Sequence, residues 1–460
     1  ALDRQAANQH PNPNFGRAIQ YANRIAQIVQ EATETDQLWA PKLRELKADD
    51  DLVVSDKDWI DTEKDTGGVR SGAESNAEWW KGLSQDERDA YVALYPDRVG
   101  KLDGLPAVDR DEANRTILDQ TRARYQTELD AIPPEPWNKY KIIATGGYPA
   151  QVMTDEYAKW YFKYHDRRDF LKGSLDGMKR IQQRFDDTGN EHGLPEAYLL
   201  GFDPEANHDG RIILANGNPD TADHTAVYVP GSKTLLSTIG GNISKSEKLW
   251  RESTALAPGE SVSTIMWFDY DAPRSAKPGE AGDLIPEAAS DSRAAEGAPR
   301  LRHFLDGRVA AHQTATGGAG HSTLLGHSYG TTLMGDAAKY RPDYHHSWAD
   351  PLPVDDVVTV ASPGVQAKRP GDLGLDPKHW WAMAAPDDDV PFWGKQVGLG
   401  DDRIIPTDSE FGGNIMETDT KGHGGYWDYK GSEPSVSLTN QAKVIVGRYG
   451  DVKLKEEAHG

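Results

Sequence analysis

The chain has 460 residues and a formal net charge of −22. This acidic balance argues against a nucleic-acid partner, because polyanions are repelled, and against binding to an anionic membrane surface by charge alone. The chain has no cysteine, which excludes disulfides, thiolate zinc sites and a cysteine nucleophile, and no apolar run approaches the ~18 residues of a transmembrane helix. Its length suits a large core and two domains, while the oligomeric state stays open.

Residues 1–136 are predicted to form a helical amino-terminal domain. Apolar residues recur at helical spacing over 19–46, and an acidic, polar segment follows over 49–74. Another helix begins after Ser84, which is suited to cap it with Glu87 as the capping-box partner. A polar amphipathic helix is predicted for 110–129, and the prolines of 132–136 mark a connection.

Residues 137–175 are rich in tryptophan, tyrosine and phenylalanine and are predicted to be helical. Two interpretations of this segment stay open. It either packs on the main domain as an ordinary helix or forms a cap over an active site.

From residue 176 to 460 the pattern predicts a catalytic α/β domain with a doubly wound, mostly parallel sheet. Several of its apolar segments are continuous, as expected of strands covered on both faces. The predicted strands are 197–202, 211–214, 225–229, 263–268, 322–326, 356–361 and 379–384. Residues 271–300, rich in Ala, Pro, Gly and acids, interrupt this alternation as a mobile excursion that could act as a lid.

The most informative motif is Gly326-His327-Ser328-Tyr329-Gly330, which fits G-x-S-x-G. It lies between a predicted strand and a predicted helix over 331–340. A serine on such a turn is a nucleophile elbow, in which the strained backbone presents the hydroxyl and the helix amino terminus directs positive potential at the reaction centre. Glycines on both sides are required because a Cβ would clash with the neighbouring strand and helix.

A serine nucleophile needs a base, and the base needs an acceptor that orients it. In the α/β-hydrolase fold the acid follows the serine along the chain and the histidine comes last. Three aspartates, 387–389, follow the strand over 379–384, and the Asp-x-Val pattern selects Asp388 with Asp389 and Asp387 as alternatives. His423, between glycines in a late loop, is the predicted base.

The oxyanion of a tetrahedral intermediate needs two N–H donors. Tyr329, which follows the nucleophile, is one predicted donor, and Ser232 in the turn after the strand over 225–229 is the other. Further residues are predicted to bind substrate, through close approach of the backbone or a lining side chain: Gly231, His327, Phe392 and Trp393.

The residues therefore predict a serine hydrolase that acts on a small-molecule or lipid ester, without metal or organic cofactor. Neither G-x-G-x-x-G after a strand nor H-E-x-x-H is present, which argues against a dinucleotide enzyme and a zinc hydrolase. An amidase, a peptidase or an acyltransferase could use the same triad. A catalytically silent secretion or binding module is the alternative from another class.

These motifs, in their order, resemble an actinobacterial α/β-hydrolase family long catalogued as a domain of unknown function. The resemblance spans roughly residues 77–450. The motifs that carry it are Trp79-Trp80, Gly104-Leu105-Pro106-Ala107, residues 218–223, Val229-Pro230-Gly231, residues 326–330, Ala361-Ser362-Pro363-Gly364, Phe411-Gly412, Gly422-His423 and Tyr426-Trp427. It implies Ser328, Asp388 and His423 as the triad, although Asp389 stands where the family usually has proline.

Residues 22–46 also look similar to small helical proteins exported by type VII systems. That similarity slightly favours a secreted or cell-surface location over the cytoplasm.

Overall fold

A computed structural model describes residues 69–145, 148–189, 193–276, 279–339 and 351–456. The helices predicted over 19–46 lie outside these residues. Along the chain, the described helices are α1 (Val69–Gly82), α2 (Gln85–Leu94), α3 (Pro96–Val99), α4 (Ala107–Ala131), α5 (Asp155–Asp186), α6 (Gly240–Leu256), α7 (Ser292–Thr316), α8 (Tyr329–Lys339), α9 (Val390–Val397) and α10 (Val436–Ile445). None of them is both long and apolar enough to cross a membrane.

The strands build one large sheet and two small hairpins. They are β1 (Tyr140–Thr145), β2 (Tyr148–Met153), β3 (Ala197–Asp203), β4 (Arg211–Asn216), β5 (His224–Val229), β6 (Val262–Phe268), β7 (His321–His327), β8 (Asp356–Val360), β9 (Trp380–Met383), β10 (Asn414–Ile415), β11 (Tyr429–Lys430) and β12 (Glu433–Pro434). The large sheet has eight strands in the order β10-β9-β8-β7-β5-β6-β4-β3. Neighbours from β10 to β6 are parallel, and β4 is antiparallel to both β6 and β3.

All seven strands predicted from residue 197 onward are present, with bounds that differ by at most two residues. Every residue of β5, β6 and β8 is buried, which is the pattern expected of strands covered on both faces. Numbered from β3, the strand order is that of the α/β-hydrolase fold, with only the second strand reversed. The predicted fold is therefore confirmed for the described part of the chain.

The chain divides into two compact units, and every element that builds the site belongs to the second. One unit comprises Ala1–Trp59 and Gln85–Ala90, and the other Ile60–Ser84 and Tyr91–Gly460. Within the second unit, α4 packs against β3 and α5, and its buried Asn114 donates to the Leu199 carbonyl over 2.9 Å. The helix predicted over 110–129 thus packs against the edge strand of the large sheet.

The prediction of a helical segment over 137–175 is wrong in its first half. Tyr140–Thr145 and Tyr148–Met153 pair as the antiparallel strands β1 and β2. The helix begins at Asp155, where the Thr154 hydroxyl caps it by accepting the Tyr157 N–H over 3.2 Å. Because α5 then continues without a break to Asp186, the predicted domain boundary at 175/176 falls inside a helix. Most of the aromatic residues of 137–175 lie in α5, and only Tyr140 and Tyr148 lie in 140–153. The composition of the whole segment therefore predicted a helix for the hairpin as well.

The predicted excursion over 271–300 is shorter than expected. Its first part carries two single turns of 3-10 helix, Glu280–Gly282 and Glu287–Ala289. Regular helix α7 then begins at Ser292 and packs against α8. The Tyr329 hydroxyl at the start of α8 donates to the Ser290 carbonyl over 2.6 Å, so the end of this segment is attached to the nucleophile elbow.

Candidate active site

Ser328 lies between the last residue of β7 and the first residue of α8, as the motif predicts. Its backbone has a φ of 56°, a left-handed value that is strained for a residue with a Cβ. The turn is held by the Ser328 N–H, which donates to the Val360 carbonyl over 2.9 Å, and by Thr331, whose N–H and hydroxyl both donate to the Ser328 carbonyl. The strained backbone is therefore held both by the neighbouring strand β8 and by the first turn of α8.

The flanking glycines are required for the reason that the sequence suggests. A Cβ on Gly326 would meet the Met334 side chain of α8, and a Cβ on Gly330 would meet the Val229 carbonyl of β5. The elbow thus fits between the sheet and its helix only without side chains at these two positions.

Asp388 is the aspartate that contacts the predicted base. The His423 Nδ1 lies 3.0 Å from both Asp388 carboxylate oxygens. The same carboxylate accepts the Tyr426 hydroxyl over 2.7 Å and the Val390 N–H over 3.0 Å. Asp387 instead accepts the Gly422 N–H over 2.8 Å, and Asp389 immediately precedes α9.

The hydrogen bonds around Asp388 keep its carboxyl ionised. Burial opposes ionisation, because the side chain is 1% exposed. The hydrogen bond and charge of His423, together with the donors Tyr426 and Val390, outweigh burial and lower the pKa of Asp388 below its usual value. An ionised carboxylate at this position fixes the proton of His423 on Nδ1, so that Nε2 is available as a base.

The loop that carries His423 is attached at two points. The Asp387 carboxylate holds it at Gly422, and the His327 ring donates from Nε2 to the His423 carbonyl over 2.8 Å. The His327 and His423 rings lie 4.7 Å apart. Burial, followed by the nearby Lys245 and His423, holds the pKa of His327 well below its ordinary value. His327, which is predicted to bind substrate, therefore has a neutral ring that holds the loop carrying His423. The same side chain also lines the cavity.

Ser328 and His423 line the same cavity, but no hydrogen bond joins the Ser328 hydroxyl to the His423 ring in the described structure. Such contacts are often long without substrate and tighten in the reacting complex. Ser328 is 8% exposed. The small exposed part of the serine thus lies at the wall of this cavity.

The loop after β5 packs directly on the serine. A Cβ on Gly231 would lie 2.7 Å from the Ser328 Cβ, so only glycine permits this approach. The loop is held by the Tyr270 hydroxyl, which donates to the Pro230 carbonyl over 2.8 Å, and by the Thr234 hydroxyl, which donates to the Gly231 carbonyl over 2.8 Å. Neither the Ser232 nor the Tyr329 N–H has an acceptor among the described residues, and both residues line the cavity.

The cavity has a volume of about 940 Å³. This volume is at the upper end of the roughly 300–1,000 Å³ that small-molecule sites usually have. Apolar residues form much of its wall, among them Pro286, Ala288, Val390, Trp393, Val397 and Leu399. No three His, Asp or Glu side chains in the described part of the chain are grouped so as to hold a metal ion.

Of the two aromatic residues predicted to bind substrate, the structure brings only one to the cavity. Trp393 lines it. Phe392 contacts the Trp393 ring at 5.5 Å, is 58% exposed and does not line the cavity. Both residues stand in the first turn of α9, where successive side chains point about 100° apart, so two neighbours could not both face one wall.

Sequence reasoning missed two residues of the site. The role of Tyr426 as a second donor to Asp388 was not predicted, although Tyr426-Trp427 belongs to the motifs of the resemblance. Lys245 on α6 lines the cavity, and its surroundings, Ser244-Lys245-Ser246-Glu247-Lys248, read as the exposed face of a helix. Only the fold shows that this turn of α6 faces the cavity that Ser328 lines.

Tyr426→Phe tests whether the second donor to Asp388 matters. We expect kcat/KM for an ester to fall about tenfold, since a hydrogen bond to a charged group contributes about 1.5–3 kcal/mol and three other contacts remain. The matched control is Tyr449→Phe, because the Tyr449 hydroxyl donates to the buried Asp356 over 2.6 Å at the start of β8. Both variants should unfold at lower denaturant concentration. Equal kinetic losses in the two would contradict a positioning role for Tyr426.

Comparison with known proteins agrees with this architecture. The model of a family described as alpha/beta hydrolase matches residues 203–395. The matched segment contains Ser328 and Asp388 and ends before His423.

Curated relatives come from mycobacteria. Proteins of two Mycobacterium tuberculosis strains, both described as uncharacterized, are 29% identical over 343 residues, which are 72% of this chain and 45% of theirs. An uncharacterized protein of Mycobacterium bovis is 28% identical over 192 residues, which are 40% of this chain and 64% of that protein. The chain thus spans less than half the length of the first of these relatives.

Among solved structures, a hyperthermophilic esterase from the archaeon Pyrobaculum calidifontis aligns with 72% of this chain and 97% of its own, at 13% identity and a TM-score of 0.31. The strand order and the family match stand independently of this alignment. The described part of the chain therefore has the α/β-hydrolase fold. Its residues 203–395 match the alpha/beta hydrolase family, and its curated relatives are actinobacterial.

Proposed function

We propose that this chain is a serine hydrolase that cleaves carboxylic esters through a covalent acyl-enzyme. The observation that carries the proposal is the pairing of His423 with Asp388 beside Ser328 in one cavity. The three residues follow one another along the chain in the order that α/β-hydrolases use for their triad.

In the proposed reaction, the Ser328 hydroxyl attacks the ester carbonyl and its proton passes to His423 Nε2. Asp388 holds the ring by Nδ1 and stabilises the imidazolium. When the tetrahedral intermediate collapses, the bond to the alcohol oxygen breaks and the alcohol leaves with the proton from His423. Water then attacks the acyl-enzyme by the same route, which releases the carboxylic acid and restores the Ser328 hydroxyl.

The Tyr329 and Ser232 N–H groups are the proposed oxyanion donors. Their support is that both are free among the described residues and that Gly231 brings this loop against Ser328. Donors already held in place stabilise the oxyanion without reorganisation, and loss of one donor typically costs about 10²–10³ in kcat.

The apolar wall favours an acyl or lipid ester over a peptide. Trp393 and Val397 are 60% and 44% exposed beside the cavity, and Leu284 and Ile285 are exposed in the segment before α7. Apolar side chains at the wall of a site bind hydrocarbon parts of a ligand, since their burial is favourable at about 25 cal/mol per Å². A chain of several methylenes is therefore the proposed acyl part.

Two measurements on the wild-type chain test this proposal. We expect a fluorophosphonate to form an adduct on the tryptic peptide that contains Ser328, found by mass spectrometry. We also expect 4-nitrophenyl esters from C2 to C16 to be hydrolysed with a maximum beyond C2. A folded protein, by circular dichroism, that is neither labelled nor active would overturn the proposal, and so would labelling of another serine.

A further inference from the structure

A cation without a counter-ion stands in the wall of this cavity. Lys245 lies on α6, and its ammonium is 4.6 Å from the centre of the Trp427 ring. No carboxylate forms an ion pair with it among the described residues, whereas Lys233, which lines the same cavity, is paired with Glu280 at 2.6 Å. The chain as a whole carries a net charge of −22, so an unpaired lysine in its cavity stands out against the overall charge.

Three aspartates line this cavity, of which Asp387 and Asp388 are bound to other partners and Asp389 forms no ion pair with Lys245 in the described part of the chain. Asp388 is bound to His423, Tyr426 and the Val390 N–H, and Asp387 accepts the Gly422 N–H. The charge of Lys245 is therefore available to a ligand. Keeping an ammonium partly desolvated without an anion is unfavourable, and a bound anion would relieve that cost.

A second donor stands one turn earlier on the same helix. Asn242 and Lys245 are three residues apart and both line the cavity, as positions i and i+3 share one face of a helix. The Asn242 Oδ1 accepts the Tyr228 hydroxyl over 3.0 Å, and its Nδ2 donates to the Thr234 hydroxyl over 3.4 Å. These bonds fix the amide and leave the second Nδ2 hydrogen for another acceptor. Both residues lie in the first two turns of the 17-residue helix α6, where the helix dipole adds positive potential.

From this arrangement we propose that Lys245 and Asn242 form a subsite for an anionic group of the substrate, so that the preferred ester carries a carboxylate or phosphate besides the bond that is cleaved. This proposal rests on the proposed esterase function and narrows its substrate class. The apolar wall and the cation together fit an amphiphilic ester. Lys245 also lies close enough to His327 to lower the pKa of that ring, which places the subsite next to the elbow.

The charge state of Lys245 agrees with this role near neutral pH. Burial, followed by the charge of Lys248, lowers the pKa of Lys245 to about 8, with Asp428 acting in the opposite direction. The titratable side chains that line the cavity together with Lys245 are Lys233, His327, Tyr329, Asp387, Asp388, Asp389 and His423. Because a lysine is charged below its pKa, the preference for an anionic ester should be present at pH 7 and decline above pH 8.

Binding to protein that cannot turn the substrate over tests the subsite directly. The background is Ser328→Ala, and the probes are 4-nitrophenyl hydrogen glutarate and its neutral methyl ester, titrated by calorimetry. A second pair carries the charge on the leaving group, namely 3-carboxy-4-nitrophenyl butyrate and its methyl ester. We expect the anionic member of at least one pair to bind about tenfold more tightly, a ratio that falls toward one when Lys245→Met is added.

Lys248→Met is the matched control, since Lys248 is on the same helix, its ammonium lies 5.8 Å from the Tyr429 ring, and it does not line the cavity. It should leave the preference unchanged. Equal binding of anionic and neutral esters in both pairs would overturn the subsite, as would equal losses for both members in Lys245→Met, which would mean that the lysine only packs on Trp427.

The two proposals fail in different ways. Failure of the esterase proposal appears as absent hydrolysis and labelling in wild type, whereas the subsite is judged by binding to a variant without the nucleophile. Hydrolysis of neutral esters with no effect of Lys245→Met on either ester would keep the esterase and discard the subsite.

Discussion

Ser328→Ala is expected to lower kcat for a 4-nitrophenyl ester by about 10⁶-fold, close to the rate of the oxyanion hole and cavity alone. The reason is chemical, because no other hydroxyl among the described residues stands at the elbow between β7 and α8. The substitution removes only the hydroxyl. Alanine keeps the Cβ, so the backbone strain at a φ of 56° is the same in both proteins. We therefore expect stability within about 1 kcal/mol of wild type. Stopped assays with chemical denaturation measure both quantities.

The matched control is Ser263→Ala. Ser263 is a fully buried serine on β6 whose hydroxyl donates to the Gly217 carbonyl over 2.9 Å, and it does not line the cavity. This variant should lose stability and keep kcat. If Ser328→Ala retained more than about a hundredth of the wild-type kcat, the covalent mechanism would be wrong.

Asp388→Asn is expected to lower kcat by about 10⁴-fold while the fold is kept. Three donors converge on this side chain, from His423, Tyr426 and the Val390 N–H. An asparagine offers one carbonyl oxygen for them, so its amide nitrogen can turn to His423. An N–H facing Nδ1 selects the tautomer with its proton on Nε2, and that ring cannot accept the proton of Ser328.

The neighbouring aspartates provide the comparison. Asp387→Asn keeps an oxygen that can accept the Gly422 N–H, and Asp389 is exposed before α9, so both variants should retain kcat within about tenfold. A loss in Asp389→Asn as large as that in Asp388→Asn would assign the acid role to Asp389 instead. Parallel kinetics of the three variants, with unfolding curves, decide among them.

An acyltransferase would share every residue of this triad. The two reactions differ in the acceptor, since the acyl-enzyme passes its acyl group to an alcohol or amine instead of water. Product analysis with added glycerol in the same assay separates them. The apolar wall and Lys245 concern the donor ester and apply to both reactions.

Local sequence was sufficient for the parts of the molecule that local geometry decides. The elbow could be predicted because a strand, a strained turn and a helix lie within twenty residues of each other, between His321 and Lys339. Seven of the eight strands of the large sheet could be predicted because each contains a buried apolar segment, whereas the two-residue strand β10 was not predicted. The order of serine, acid and histidine along the chain followed from the same fold.

Where the sequence pattern was mixed, the prediction was wrong. Residues 140–145 and 148–153 are the strands of a hairpin, which the aromatic content averaged over 137–175 does not distinguish from the helix that follows. Phe392 and Trp393 are adjacent aromatic residues and equally good candidates in the sequence. The orientation of α9 in the fold brings only Trp393 to the cavity. Composition cannot predict which of two adjacent helical residues faces the cavity, although that position decides which ring can contact a ligand.

What the sequence by itself determined is the fold, the candidate nucleophile and a short list of candidate partners for it. The tertiary structure decided which of three adjacent aspartates contacts His423, that Tyr426 supports it, and that Lys245 faces the cavity. The physical reason is the separation along the chain of the residues that must contact one another. Strand and elbow geometry depend on neighbours within a few residues. The contacts of Asp388 instead join loops 35 and 38 residues apart, whose relative positions only the packed sheet defines.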